Sequence, residues 1–327
     1  MGYSAQVMQR ARQRLENTKA EKESLYEERL RIVYAQLPRV RQIDVELRKT
    51  MALATQAIFS GAPGDALEQV KTANLALQKE RETLINQAFG EGFLDDSPVC
   101  TRCEGFGYIG TQMCSCLQEL CRQEQKNELV NLKCGKAEFA DFKLEYYPDR
   151  FISGSNVSIR SIMQKTFQDC RSYALNFGAE SGNLLFSGDT GLGKTFLSAC
   201  IASAVVDRGY SVAYESAVHL FDLMERARFA GDEAAILESQ RLMDCDLLIV
   251  DDLGTEMAGQ FVTTALYTLI NDRILKKKAT VISTNLTAEE MEKRYSTQIL
   301  SRLRGNYKRV AFVGDDIRVL KNRGVIR

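Results

Sequence analysis

The stretch NLLFSGDTGLGKT, Asn183 to Thr195, constrains the fold more than any other part of the chain. Gly188, Gly193, Lys194 and Thr195 fit G-x-x-x-x-G-K-[ST] at every fixed position. The apolar run NLLFS supplies the strand that this motif needs before it, and KTFLSACIASAVVD supplies the helix after it. A helix that begins at such a loop points its free N–H groups and the positive end of its dipole at an anion. The amides from Gly191 to Thr195 are therefore expected to hold a β-phosphate. Lys194 places a point charge across the β/γ oxygens, and the Thr195 hydroxyl is placed for Mg²⁺. The nucleotide-binding set read from this stretch is Gly188, Asp189, Thr190, Gly191, Leu192, Gly193, Lys194, Thr195 and Phe196.

A phosphate loop of this kind sits at the end of a parallel strand, and the downstream sequence provides the partners. SVAYE (211–215), DLLIV (246–250), TVISTN (280–285) and RVAFVG (309–314) read as further strands, with helical patterns between them. The fold class is α/β, a five-stranded parallel sheet covered on both faces. LLIVDD ends in two acids: Asp251 is placed to hold Mg²⁺ through water, and Asp252 to orient and deprotonate an attacking water. An aspartate is short for that second task, so Glu256 stands as the alternative base. Asn285, ending the next strand, can hold the same water near the γ-phosphate.

Before this core the composition changes. Residues 1–95 are dense in Glu, Lys, Arg, Gln and Leu and read as a helical arm, with Pro38 ending or kinking the first helix, FSGAPGD (Phe59 to Asp65) forming a turn, and Asp65 capping a further helix. Residues 96–135 hold a cysteine cluster and linker, and 136–327 form the ATPase domain. Cys100-x2-Cys103 and Cys114-x-Cys116 offer four thiolates in two close pairs, which suit tetrahedral Zn²⁺, with an iron–sulfur centre as the competing reading and Cys121 as an alternative ligand. Cys134, Cys170, Cys200 and Cys245 read as ordinary thiols, the last three buried in the core, and His219 as a surface helix residue. Lys+Arg and Asp+Glu number 43 each, so a nucleic-acid contact must come from a local patch. No apolar run nears the ~20 residues that span a bilayer, and the charged start is unlike a signal peptide. A cytoplasmic location with no membrane partner is expected.

GDTGLGKT, LLIVDDLGTE, ISTNL and SRLRG, in that order, resemble an AAA+ ATPase, and within that class the bacterial replicative-helicase loaders of the DnaC/DnaI type and their IstB relatives. The likeness covers about residues 137 to 320. It implies a trans-acting arginine finger at Arg302, with Arg304 as second candidate, and therefore self-assembly. The chain ends at Arg327, which leaves no room for a C-terminal helical lid domain and makes Arg318 a weak substitute for the lid's sensor arginine. The layout of arm, zinc module and core is similar to the DnaI-type arrangement, in which the N-terminal region docks a hexameric helicase.

The resemblance thus implies a loader that uses ATP binding and hydrolysis as an assembly and release switch on single-stranded DNA. A transposition-targeting ATPase of the IstB kind is the alternative, and a DNA-free signalling ATPase a third. Arg226, Arg228 and Phe229, in the segment between SVAYE and LLIVDD where the resemblance implies a DNA-facing helical element, combine phosphate-binding charge with a stacking surface.

Overall fold

The computed structural model describes residues 3–59, 64–130, 137–152 and 156–322. The chain divides into two compact units, Gln13–Cys116 and a larger one built from Met1–Arg12 with Leu117–Arg327. Residues 60–63 of the expected turn, Cys134, and parts of the linker around it lie outside the described residues.

The smaller unit holds most of helix α1 (Ala5–Gln36), then α2 (Pro38–Phe59) and α3 (Gly64–Phe89), and a hairpin of β1 (Tyr108–Ile109) and β2 (Gln112–Met113). Proline separates the first two helices as its chemistry requires. It opens α2, where its missing N–H costs nothing. One apolar cluster here buries Val33, Val40 and Ile85, with Tyr34, Leu37, Leu84, Phe89, Phe93 and Leu94 around them. Charged groups complete the packing, with Arg81 2.7 Å from Asp44 and Arg39 2.8 Å from Glu80.

In the larger unit α4 (Ser115–Val130) and α5 (Ile159–Leu175) precede the sheet. The sheet elements follow in chain order as β3 (Asn183–Ser187), α6 (Lys194–Asp207), β4 (Val212–Ser216), α7 (Ala217–Glu225), α8 (Glu233–Asp244), β5 (Leu247–Leu253), α9 (Gln260–Leu275) and β6 (Ala279–Thr284). Then come α10 (Ala288–Arg294), α11 (Thr297–Asn306), β7 (Tyr307–Ala311) and the short α12 (Ile317–Asn322). The five strands are parallel, in the order β4-β5-β6-β3-β7. Two apolar clusters cover its faces. One is built on Leu248, Val250, Leu266 and Leu300, the other on Leu184, Phe186, Ile201, Ile249 and Val281.

β5 is buried from Leu247 to Asp251, which is why LLIV reads as an unbroken apolar run and not as an alternating one. β3 lies inside the sheet, and its chain leaves through α6 to the far edge strand β4. The loop after β3 therefore opens at the carboxyl ends of the strands, where parallel sheets hold ligands. Among the described residues, no helix is long and apolar enough to cross a membrane.

Candidate nucleotide site and cysteine cluster

The loop after β3 has the shape its glycines allow. Gly188, Gly191 and Gly193 have φ of 151°, 73° and 89°, values that other residues rarely adopt. A Cβ at Gly188 would also stand 2.2 Å from the Phe312 carbonyl oxygen, so that position is closed to any side chain. Lys194 opens α6, is 5% exposed, and donates from Nζ to the carbonyl oxygens of Gly188 and Asp189 at 2.6 Å each. Burial holds its pKa below the usual lysine value, against the pull of Asp252, Asp251 and Asp189.

The two acids at the end of β5 point to opposite sides, as neighbours on a strand do, beside an irregularity in the β5–β6 pairing between Val250 and Leu253. Asp251 is buried; its Oδ1 accepts from the Ser283 hydroxyl, and its Oδ2 from the Tyr214 hydroxyl at 3.0 Å. The same Tyr214 hydroxyl is 3.5 Å from the Thr195 carbonyl oxygen, so Asp251 stands beside the start of α6. Asp252 takes a left-handed φ of 57°, which aspartate tolerates, and its amide donates to Ser283 Oγ at 2.9 Å. Its side chain lies in the wall of a cleft of about 740 Å³.

That cleft brings together much of what the sequence pointed to: Thr190 to Phe196 line it with Asp252 and Asn285, the latter one residue beyond β6. Gly188 and Asp189 are not in the lining but carry the carbonyls that hold Lys194. Asp251 sits behind the lining. The cleft also has a wall that sequence reasoning missed, made by Phe142, Lys143, Tyr146 and Tyr147. Tyr147 is buried and donates its hydroxyl to the Leu192 carbonyl at 2.9 Å, directly under the loop. Phe142 stacks on Phe167 at 4.8 Å, and the Tyr146 ring has Lys143 and Lys321 ammonium groups at 5.7 and 5.0 Å. Arg318, which the sequence offered only as a weak sensor substitute, lines the cleft with Ile317 and Lys321. The segment is tied to the loop by the Ile317 amide, which donates to Gly191 O at 3.0 Å.

Glu256, the alternative base, lies elsewhere. It is buried, accepts from the Gly254 amide at 2.9 Å and from the Tyr295 hydroxyl, and pairs with Arg294 at 3.3 Å. It is absent from the cleft wall, and its oxygens are committed to holding the loop after β5 against α10. This is a correction to the reading of Glu256 as a second choice for the base.

Arg302, on α11, is not in the wall of this chain's own cleft; it lies against Tyr267 on α9, donating to the tyrosine oxygen at 3.2 Å. Arg304 is exposed on the same helix. Of the three candidate DNA contacts, Arg226 is held by Asp222 at 3.3 Å and Asp232 at 3.5 Å. Arg228 and Phe229 follow in a π-helical turn, Arg226–Ala230, and both are exposed. The Phe229 ring is 67% exposed, with the Arg228 guanidinium 5.5 Å from its centroid.

In the smaller unit the Sγ atoms of Cys100, Cys103, Cys114 and Cys116 all lie within 4.8 Å of one another. The chain reverses through left-handed Gly105, Gly107 and Gly110, and the Gly107 amide donates to Cys103 Sγ at 3.2 Å. Hydrogen bonds from the Cys116 amide lead in pulling the Cys114 thiol down to about 6; burial pushes the Cys116 thiol up. Cys121 is not a member of the cluster. It is buried in the larger unit with its Sγ 3.5 Å from Met8 Sδ, and burial pushes it up to about 11. Four sulfurs at these separations, with donors already aimed at them, fit one tetrahedral metal ion. Cys170, Cys200 and Cys245 are buried as expected, and His219 is exposed with Nδ1 2.5 Å from Glu215 Oε2.

Residues 148–323 match the family model described as IstB-like ATP binding protein. The chain is similar to the replicative helicase loader DnaC of Escherichia coli strain K12, 29% identical over 152 residues, which are 45% of this chain and 61% of that protein. The match thus spans about three fifths of that relative's length. Among solved structures it is similar to a crystal structure of the DnaC helicase loader, with TM-score 0.44 and 18% identity over 54% of this chain and 98% of that one. A crystal structure of DnaI gives TM-score 0.44 and 17% identity over 59% of this chain and 93% of that one.

Proposed function

Because this chain belongs to the family of IstB-like ATP binding proteins, we infer that its cleft binds ATP with Mg²⁺ and hydrolyses it. The observation that carries this is the meeting of Lys194, Thr195, Asp252 and Asn285 in one cleft at the carboxyl end of β3. Lys194 leaves the Gly188 and Asp189 carbonyls for the β/γ oxygens, and the amides of Gly191 to Thr195 take the β-phosphate. The Thr195 hydroxyl, and Asp251 through water, would hold Mg²⁺, which would supply charge neutralisation at the phosphate oxygens. Asp252 takes the proton of the attacking water, which Asn285 orients. Phe142, Tyr146 and Tyr147 offer the aromatic wall for the base. Arg302 acts on the nucleotide of a neighbouring copy, which agrees with its position outside its own cleft.

The likeness to a protein named as a replicative helicase loader supports a loading role over the transposition reading. In this account the helical arm docks a hexameric replicative helicase. The Cys100, Cys103, Cys114 and Cys116 cluster would bind a structural Zn²⁺ that holds the hairpin region of the smaller unit together. Single-stranded DNA runs over Arg228 and Phe229, with Arg226 the lesser contributor because two aspartates already engage it. ATP holds the assembly and hydrolysis releases it. Co-purification with a hexameric replicative helicase, with and without ATP, tests the role: retention by the full chain and loss after deletion of residues 13–95 is expected. Equal retention without the arm contradicts it.

A further inference from the structure

Several arginines of this molecule face carboxylates of opposite sign. Arg226 has Asp222 and Asp232, Arg241 has Glu238, Arg294 has Glu256, and Arg150 has Asp315. Arg302 differs. Its guanidinium lies 5.7 Å from the centroid of the Tyr267 ring and donates to the Tyr267 hydroxyl oxygen at 3.2 Å; among the described residues no carboxylate lies within ion-pair distance of it. A carboxylate there would hold the arginine in place but would also compete with any phosphate for its charge. A tyrosine fixes the guanidinium through the ring face and one hydrogen bond while leaving the positive charge uncompensated.

The platform is itself rigid. Tyr267 sits on α9 between Leu266 and Leu269, which are buried in the core cluster. Two turns further on, the fully buried Arg273 donates to the Thr280 hydroxyl at 3.0 Å and to the carbonyls of Leu242 and Ala279 at 2.7 and 2.6 Å. α11 is anchored beside it by buried Ile299, Leu300 and Leu303, with the Ser296 hydroxyl accepting from the Ile299 amide at its start. Both the arginine and its support therefore ride on packed helices. Tyr267 is 37% exposed, so the pair is open to an approaching surface.

We propose that Tyr267 is a positioning residue that holds the charge-available Arg302 guanidinium for the γ-phosphate of a nucleotide bound by a second copy of this chain. The proposal rests on the reading of Arg302 as a trans-acting finger, and goes beyond it by saying what aims the finger. Only the copy that donates Arg302 needs Tyr267, which separates positioning from a general structural role.

The test is a two-subunit complementation measured as ATP turnover. Acceptor subunits carry Arg302→Ala; donor subunits carry Lys194→Ala, so they bind no ATP yet keep the finger. Mixing is expected to restore turnover. Tyr267→Leu in the donor should lower the restored kcat by about tenfold or more with KM for ATP unchanged, since a misplaced group loses about that much. Tyr267→Phe in the donor, which keeps the ring and loses the hydroxyl, should lose no more than about threefold. In the acceptor, Tyr267→Leu should add nothing to Arg302→Ala. No restoration on mixing overturns the trans finger and the proposal with it. Restoration with equal loss from Tyr267→Leu in donor and acceptor, or no loss in either, overturns the positioning role alone.

Discussion

Asp251 and Asp252 are neighbours in sequence and opposites in environment: the first is 6% exposed and locked by Ser283 and Tyr214, the second is exposed in the cleft wall on a left-handed backbone. One is held by two hydroxyls; the other faces the cleft. Asp252→Asn should therefore slow ATP hydrolysis by about 100-fold or more while changing ATP affinity by less than about threefold. Single-turnover hydrolysis beside an equilibrium titration measures both. Hydrolysis at the parent rate would remove Asp252 from the chemistry.

Glu256 should behave in the other way. Replacing it with Gln removes the charge that Arg294 faces and weakens the bonds from Tyr295 and Gly254 in a buried place. A loss of about 2 kcal/mol of stability is expected, with hydrolysis per folded molecule close to the parent's. Thermal melts and turnover measured well below the melting temperature check it; a stable variant that no longer hydrolyses ATP contradicts the structural role.

Much of this site is legible in the amino-acid order, and what is not has physical reasons. Gly188 to Thr195 can be read because a loop around phosphate admits few residue types at fixed spacing, and β3 and β5 because doubly covered strands are continuous apolar runs. The wall from Phe142 to Tyr147 is invisible because it consists of two single 3-10 turns with no period to detect. The left-handed backbone at Asp252 and the irregular pairing beside it are announced by no local pattern. In sequence Glu256 reads as an alternative base because it is near Asp252. Only the fold brings Arg294 and Tyr295 to it. The four clustered cysteines were legible from their pairing, and Cys121 is set apart from them by its packing on Met8.

With the cysteine cluster stripped of metal, Cys114 should be alkylated by iodoacetamide at pH 7 ahead of Cys116, because its thiol is pulled down to about 6 while burial pushes that of Cys116 up. The sign follows from thiolate content. Above pH 6 the reactive form dominates, and lowering the pH from 7 to 5 should slow this modification about tenfold. Zinc should protect all four sulfurs, and the protein prepared without chelator should carry close to one equivalent. Peptide mapping and metal analysis decide it. Less than about half an equivalent of zinc, or a visible charge-transfer band, would count for iron–sulfur.

On single-stranded DNA, Arg228→Ala should weaken binding at every sequence and reduce the salt slope by about 1, as loss of one phosphate contact does. Arg226→Ala should do less, because Asp222 and Asp232 already share its charge. Titrations at two salt concentrations with ATP present measure this. Equal affinity for Arg228→Ala and parent would take the π-helical turn out of the DNA path.

The central claim is that hydrolysis in the cleft releases a helicase held in the ATP state, and the lifetime of that complex tests it most directly. After ATP is added to the protein bound to a hexameric replicative helicase on single-stranded DNA, the parent is expected to dissociate at its hydrolysis rate. The Asp252→Asn protein should remain bound for about 100 times as long. Dissociation of the two at the same rate would contradict the account.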